Sequence, residues 1–311
     1  MSSPAAPKGT EEGTAPARVA IGIATVGRAA ILRETLAEVR RQLRPADRLI
    51  ICATQPSDVA GITLEGPNES VMLAEAGLPR QRNRILDAAA DCDFVLFIDD
   101  DFLLDPAYLA ETLAAFAADP AMVVTTGTVL ADGITGAGLS AAEGRRIIAQ
   151  ARDRDPAPSR TPAPSFAGYG CNMAIRMDVA RRHGIRVDER LPLYAWQEDV
   201  DFTRRLAAHG TVARLPAARG VHLGTKHGRG SGRRLGYSQV ANPIYLMRSA
   251  GHGAYPRGYA ARRILGNIAA NLLRAARPEP HVDRRGRLHG NVVALRDLLR
   301  GRLAPERALD L

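Results

Sequence analysis

Three consecutive carboxylates, Asp99-Asp100-Asp101, follow directly on the apolar run Phe94-Val95-Leu96-Phe97-Ile98. The run is short, partly aromatic and β-branched, and reads as a strand buried on both faces. Adjacent acids repel one another, so acids at the end of a buried strand call for a cation. A hard divalent ion with oxygen ligands, Mg²⁺ or Mn²⁺, meets that need, and alternation along an extended chain points Asp99 and Asp101 the same way. The competing reading is an acidic turn that caps the next helix. Asp105-Pro106 already offers an N-cap with proline at the first helical position, which leaves the three acids for a metal or phosphate site.

A second acidic cluster, Glu198-Asp199-Val200-Asp201, follows Trp196-Gln197. Part of it can serve a helix N-terminus. A metal-dependent transfer also needs an acid apart from the metal to take a proton. After the strand-like Gly220-Val221-His222-Leu223, residues 224–234 interleave four glycines with cations that include Lys226 and Arg229. Such a stretch suits a flexible flap folding over a pyrophosphate, with a plain solvated loop as the alternative. Arg80-Gln81-Arg82-Asn83-Arg84, just ahead of the carboxylate strand, is either a solvated helix face or counter-charge for a nucleotide diphosphate.

The elements that must position these groups alternate strand and helix. Arg18 to Ala24 reads as a first strand and Thr25-Val26-Gly27-Arg28 as a tight turn; Leu32, Leu36, Val39 and Leu43 recur at helical spacing. Leu49-Ile50-Ile51-Cys52 is the next strand, so a parallel crossover opens a nucleotide-binding sheet. Gln55-Pro56-Ser57-Asp58 is a polar turn, and the chain to about Gly77 reads as irregular. A helix with Ile85, Leu86 and Ala89 inward leads to the carboxylate strand. A helix over 106–118 and a strand over 122–130 follow. Residues 132–165 combine glycines, a basic helix near Arg145 and Arg146, and prolines too dense for a central strand, which predicts an insertion over one edge. Phe166 to Arg176 ends as a strand, and the second acidic cluster enters a helix that stops at Gly210.

The chain has 311 residues, 46% of them hydrophobic and only 5% aromatic, as suits an Ala-rich α/β enzyme. Cys52, Cys92 and Cys171 show no metal-ligand spacing and are odd in number, which favours a reducing compartment. Residues 1–17 read as a disordered tail without a signal peptide, and no run of about 18 apolar residues occurs. The expectation is a cytoplasmic protein. The net charge of +9 divides unevenly: residues 1–203 carry 21 basic and 28 acidic side chains, a net −7, and residues 204–311 carry 21 and 5, a net +16. An acidic first part suits a metal, and an arginine-rich second part suits phosphate, anionic lipid or nucleic acid.

These residues, in their order, resemble the family-2 inverting glycosyltransferases of the GT-A fold. The resemblance rests on Ile23 to Arg28 after the first strand, Arg82-Asn83 before the acids, Phe97 to Asp101, Asn172 to Arg176, and Glu198-Asp199, over roughly residues 18–235. It implies an α/β fold: a GT-A type nucleotide-binding mixed sheet flanked by helices, followed by a helical C-terminal extension. The implied activity is transfer of a sugar from a nucleotide-sugar donor to a hydroxyl of a saccharide or lipid-linked acceptor, in polysaccharide or glycoconjugate biosynthesis. By the resemblance Thr25 lies by the base and ribose, with Arg28 and Asp100 on the donor side, and Arg82 lies near the base or phosphates. Asp99 and Asp101 look like the DxD pair on Mn²⁺ or Mg²⁺, and His222 is similar to a histidine on the metal or phosphate. Asp199 is the implied general base, with Glu198 beside it. The family's aspartate directly after the second strand is replaced here by Cys52-Ala53-Thr54-Gln55, and Asp58 is the nearest acid for the nucleobase.

Residues 18–235 are thus the expected catalytic domain and 236–311 a basic helical extension. In the extension Ile264, Leu265, Ile268, Leu272 and Leu273 form one helical stripe and Val292, Leu295, Leu299 and Leu303 another, flanked by arginines. The stripes suit docking on the anionic inner face of a membrane, or packing on the catalytic domain or on a partner in a homodimer. Two rival functions remain. A metal-dependent nucleotidyltransferase shares the adjacent acids, but the chain has no G-x-x-x-x-G-K-[ST] loop. A nucleic-acid-binding protein shares the basic tail, but no binding motif accompanies the charge, so nucleic acid is not an expected partner.

Overall fold

The computed structural model describes residues 16–226, 231–249, 255–277 and 279–311. The expected tail, apart from its last two residues, and Arg229 lie outside the described residues. β1 (Val19–Ala24), α1 (Ala29–Arg40) and β2 (Arg48–Ala53) make the expected parallel crossover, with Gly22 opposite Ile50. Leu32, Leu36 and Val39 are buried as predicted. Leu43 is exposed, because α1 stops at Arg40 and the Leu43 amide turns away to the Pro106 carbonyl. The stretch that reads as irregular contains β3 (Glu69–Leu73), paired parallel on β2. β3 is a sheet edge with mostly exposed side chains, so it carries no apolar pattern that would announce it.

α2 (Leu78–Ala88), with Ile85 and Leu86 buried and Ala89 just beyond it, delivers the chain to β4 (Phe94–Asp99), parallel to β1. The chain leaves the sheet at the acids and resumes as β5 (Phe102–Leu104). α3 (Tyr108–Ala118) begins two residues later than predicted, because Asp105 caps a preceding turn through the Ala107 amide. Then come β6 (Met122–Asp132), α4 (Ala141–Arg154), β7 (Ala163–Pro164), β8 (Asn172–Arg176), α5 (Met177–Arg182), α6 (Glu198–Leu206) and β9 (Thr211–His222). The sheet order is β3-β2-β1-β4-β8-β6-β9-β5, and β8 lies antiparallel between β4 and β6. β7 pairs on β9 as a two-residue edge, consistent with the prolines of an insertion. The three cysteines are free and buried.

The extension comprises α7 (Gly232–Arg248), α8 (Arg257–Arg274), α9 (Arg284–Leu299) and a final 3₁₀ turn over Pro305–Asp310. α7 starts inside the expected flap, because the Ser231 hydroxyl caps it by accepting from the Arg234 amide. It also runs straight through the boundary expected between 235 and 236. α7 and α9 cross at two glycines. A Cβ on Gly236 would fall 2.0 Å from the Arg287 carbonyl oxygen, and one on Gly290 would fall 2.1 Å from that of Arg233. The missing side chains let the backbones touch, and Tyr237, Val240, Ala241 and Ala294 pack around the crossing. Buried amides tie in α8: Asn271 donates to Gln239 and Asn291, and Asn291 donates to the Gly236 carbonyl. Gly290→Ala is therefore expected to lower stability by about 1–3 kcal/mol through overpacking, measured by thermal and urea unfolding.

Candidate functional site

The site lies at the carboxyl ends of β1, β2 and β4, where open α/β sheets place their ligands. Asp100 points into the protein and is fully buried. Its side chain accepts from the Thr25 hydroxyl at 2.7 Å and pairs with Arg28 at 2.8 Å, while its carbonyl accepts from Thr35. Burial pushes the Asp100 carboxyl up to about 7, with Arg28 pulling the other way. Thr25 and Asp100 thus hold the β1 turn to the β4 end. Asp58, offered by sequence for the nucleobase, is buried with its oxygens engaged by the amides of Gly27, Thr54 and Gln55 and by the Thr54 hydroxyl. It orders the two turns that flank the site.

Asp99 and Asp101 point the same way, as alternation requires, and meet His222 at the end of β9. His222 Nε2 is 3.4 Å from Asp101 Oδ1 and 3.8 Å from Asp99 Oδ2. The other ring nitrogen, Nδ1, is 2.9 Å from Asp132 Oδ1, and the Tyr169 hydroxyl donates to Asp132 Oδ2 at 2.8 Å. Burial opposes protonation of His222, but Asp101, Asp132 and Asp99 lift it to about 10. Asp101, which burial would raise, is held at about 2 by His222, Arg28 and the Thr225 amide. Sequence reading misses Asp132 and Tyr169. Asp132 ends a strand with no motif around it, and only the pairing of β6 with β9, Asp132 opposite His222, brings it to the imidazole.

The second acidic cluster is joined to the first. Asp199 Oδ2 accepts from the Gly170 amide at 2.8 Å, and the Asp99 amide donates to the neighbouring Cys171 carbonyl at 3.2 Å. Arg82, 2% exposed, reaches Glu198, the Gly170 carbonyl and, at 3.6 Å, Asp99. Arg82 is therefore a buried brace between carboxylates, and its guanidinium does not face the solvent where a phosphate would sit. Burial pushes Glu198 up to about 8 despite Arg82. Asp199 is also raised by burial, against the Gly170 amide and Arg82. Asp199 is the more open of the two to solvent.

The approach to these acids is strained. Leu193, Ala195 and Gln197 have φ of 58°, 51° and 76°, left-handed values rarely adopted by residues with side chains and costing about 1–3 kcal/mol each. The extension holds this segment in place. Asn242 donates to the Trp196 carbonyl, the Tyr255 hydroxyl donates to Gln197, and Arg263 lies over the Trp196 ring. Lys226 donates to the carbonyls of Gly133 and Ile134, so within the described residues it ties the start of the expected flap to the loop after β6.

The profile of the family described as "Glycosyltransferase like family 2" matches residues 16–219, well over half of the chain. The chain belongs to the family-2 glycosyltransferases. No curated protein matches the sequence. Among solved structures, the chain is similar to TarS 1–349 of S. aureus in complex with UDP-GlcNAc, at 13% identity and a TM-score of 0.52, over 79% of this chain and 70% of that one. It is also similar to the mannosyltransferase PcManGT of Pyrobaculum calidifontis in complex with GDP-Man and Mn2+, at 16% identity and a TM-score of 0.52, over 96% of this chain and 86% of that one. These likenesses bear out the fold: a GT-A type mixed sheet with a helical C-terminal part.

In this glycosyltransferase the acids fit a metal. One ligand atom each from Asp99, Asp101 and His222 lies within 4.8 Å of the others, and Asp101 Oδ1 is buried without a hydrogen bond. Two carboxylate oxygens and an imidazole nitrogen suit a divalent metal ion, and the Asp132 contact at Nδ1 leaves Nε2 as the ligand atom. Asp132→Asn is expected to weaken Mn²⁺ binding about 10–100-fold, measured by electron paramagnetic resonance of free Mn²⁺ during titration of the protein.

Proposed function

We propose that the chain is a metal-dependent inverting glycosyltransferase that moves a sugar from a nucleotide-sugar to a hydroxyl of a saccharide, free or lipid-linked. The observation that carries this reading is the linkage of two acid sets through the dipeptide Gly170-Cys171: Asp199 on the Gly170 amide, Asp99 on the Cys171 carbonyl. A displacement with inversion needs the leaving group and the base held in fixed relation on opposite sides of the sugar. The presence of UDP-GlcNAc and of GDP-Man with Mn2+ in the two similar structures supports a nucleotide-sugar donor and a metal here.

A divalent ion on Asp99, Asp101 and His222 would offset the negative charge of the departing diphosphate. Arg28, partly exposed beside Asp100 and Asp101, supplies fixed positive charge at the same end. Asp199 accepts the proton of the acceptor hydroxyl. The oxygen then bonds to the anomeric carbon as the bond to the diphosphate oxygen breaks. A raised Asp199 suits this task, since a stronger base takes the proton more readily. For the acceptor, a saccharide is favoured by Tyr169 and Tyr194, exposed aromatic rings on the two segments that flank Asp199, because aromatic side chains offer an apolar face with a polar handle to an amphipathic ring.

Asp199→Asn is expected to lower kcat about 10²–10⁴-fold while leaving nucleoside-diphosphate binding unchanged. The acid limb of the kcat profile is expected above the ordinary carboxylate range, because activity is present when Asp199 is ionised and is lost as pH falls through its raised pKa. The assay is release of nucleoside diphosphate from UDP-GlcNAc or GDP-mannose with Mn²⁺ and an acceptor panel. Collapse of nucleotide affinity with normal kcat in the variant would move Asp199 to the donor site.

A further inference from the structure

The two apolar stripes of the extension divide on folding. Ile264, Ile268 and Leu303 turn inward onto the core around Tyr237 and Ala294. Leu265, Leu272 and Leu273 of α8 stay outside at 66%, 60% and 77% exposure, and Leu299 of α9 at 87%. Ala261, Gly266 and Ala269 are exposed on this side of α8 as well, with Arg262 among them. Scattered exposed leucines are ordinary, but Leu265, Leu272 and Leu273 fall on one side of a single helix, which makes an apolar face that favours a partner.

The charges around the patch select the partner. Between residues 257 and 303 there are eleven arginines and three acids, and α8 itself has no acid. Each of the three acids is engaged within the chain. Glu279 pairs with Arg284, Asp283 caps α9 through the Gly286 amide, and Asp297 accepts from Tyr237 and Arg307. Arg262, Arg274, Arg277, Arg285, Arg296 and Arg300 are exposed. A second copy of this face would bring arginine against arginine, which opposes a symmetric dimer. Nucleic acid would take the arginines but has no use for leucines.

We infer that α8 and α9 dock the enzyme on an anionic lipid bilayer, with the exposed leucines at the acyl boundary and the arginines among the lipid phosphates. No described helix is long and apolar enough to cross a membrane, so the association is with the surface. α8 begins against the strained segment ahead of Asp199, where Tyr255 and Arg263 meet Gln197 and Trp196. The docking face and the acid that would meet the acceptor therefore share one support, which suits an acceptor carried on a lipid.

The test is co-sedimentation of the full chain with phosphatidylcholine vesicles, with and without phosphatidylglycerol, at low and high salt. Binding is expected only with phosphatidylglycerol, to weaken with salt, and to fall about fivefold for each exposed arginine replaced by glutamine. Leu272→Glu with Leu273→Glu is expected to weaken binding about tenfold or more with no change in thermal unfolding, because both side chains are exposed. Absence of binding, equal binding to both vesicles, or unchanged binding of the leucine variant would overturn the proposal. So would a solution dimer that the leucine variant dissociates. No nucleotide-sugar enters the measurement, so its outcome is separate from that of the proposed reaction.

Discussion

Six carboxylates, Asp99, Asp100, Asp101, Asp132, Glu198 and Asp199, converge on one end of the sheet, and the structure depends on how their repulsion is managed. Asp99, Asp100 and Asp101 cannot all face one way, and the backbone between β4 and β5 separates them. Asp100 goes inward to Thr25 and Arg28, and Asp99 and Asp101 go outward to His222. Arg82 lies buried between Asp99 and Glu198, and its charge is what allows two acid sets to stand close together. Removing either partner of a buried pair leaves a charge unmatched, so arginines and acids here are mutually dependent. Lone buried acids would take up protons instead, the direction in which burial moves Asp100 and Glu198.

Around that electrostatic centre, β8 acts as the ruler. The turn ahead of it, Tyr169-Gly170-Cys171, touches Asp132, Asp199 and Asp99 in successive residues. One rigid turn therefore sets the spacing between a metal site and a candidate base. Gly170 suits this closeness, because a Cβ there would meet the Asp199 carboxylate at 3.1 Å and push it back by a few tenths of an ångström. The left-handed residues at 193, 195 and 197 lead into Asp199 on the other side of the turn, and they persist because α7 and α8 hold them from behind. The helical extension is thus a structural part of the site.

The division of charge along the chain now has a spatial meaning. The acidic portion folds into the sheet whose carboxylates need cations, and the basic portion folds into helices whose arginines mostly face outward. α7 joins the two through buried contacts and through the close glycine crossing with α9. A face rich in exposed arginines can therefore sit next to a carboxylate-rich centre without the two neutralising each other.

The sequence by itself determined the order of the sheet's first elements, the direction of Asp99 and Asp101, and the family, because each of these follows from local periodicity or from residues adjacent along the chain. Period-two alternation decides which acids point together, and apolar runs such as Phe94 to Ile98 can only be buried strands. Tertiary structure alone decided what the functional groups touch. Asp58 and Arg82 look in sequence like ligands for a nucleotide, and only the structure shows that both are buried and engaged within the protein, because burial depends on distant elements closing over them. Asp132 reaches His222 only through the pairing of strands whose ends lie 90 residues apart. β3 escapes notice because its side chains stay mostly outside the core, which leaves it no apolar pattern to read. The stripe of α8 shows the same limit: helical spacing puts Ile264 beside Leu265 and Leu272, but the docking of α8 on α7 and α9, where Asn271 donates to Gln239 and Asn291, decides which of them the core receives and which the solvent keeps.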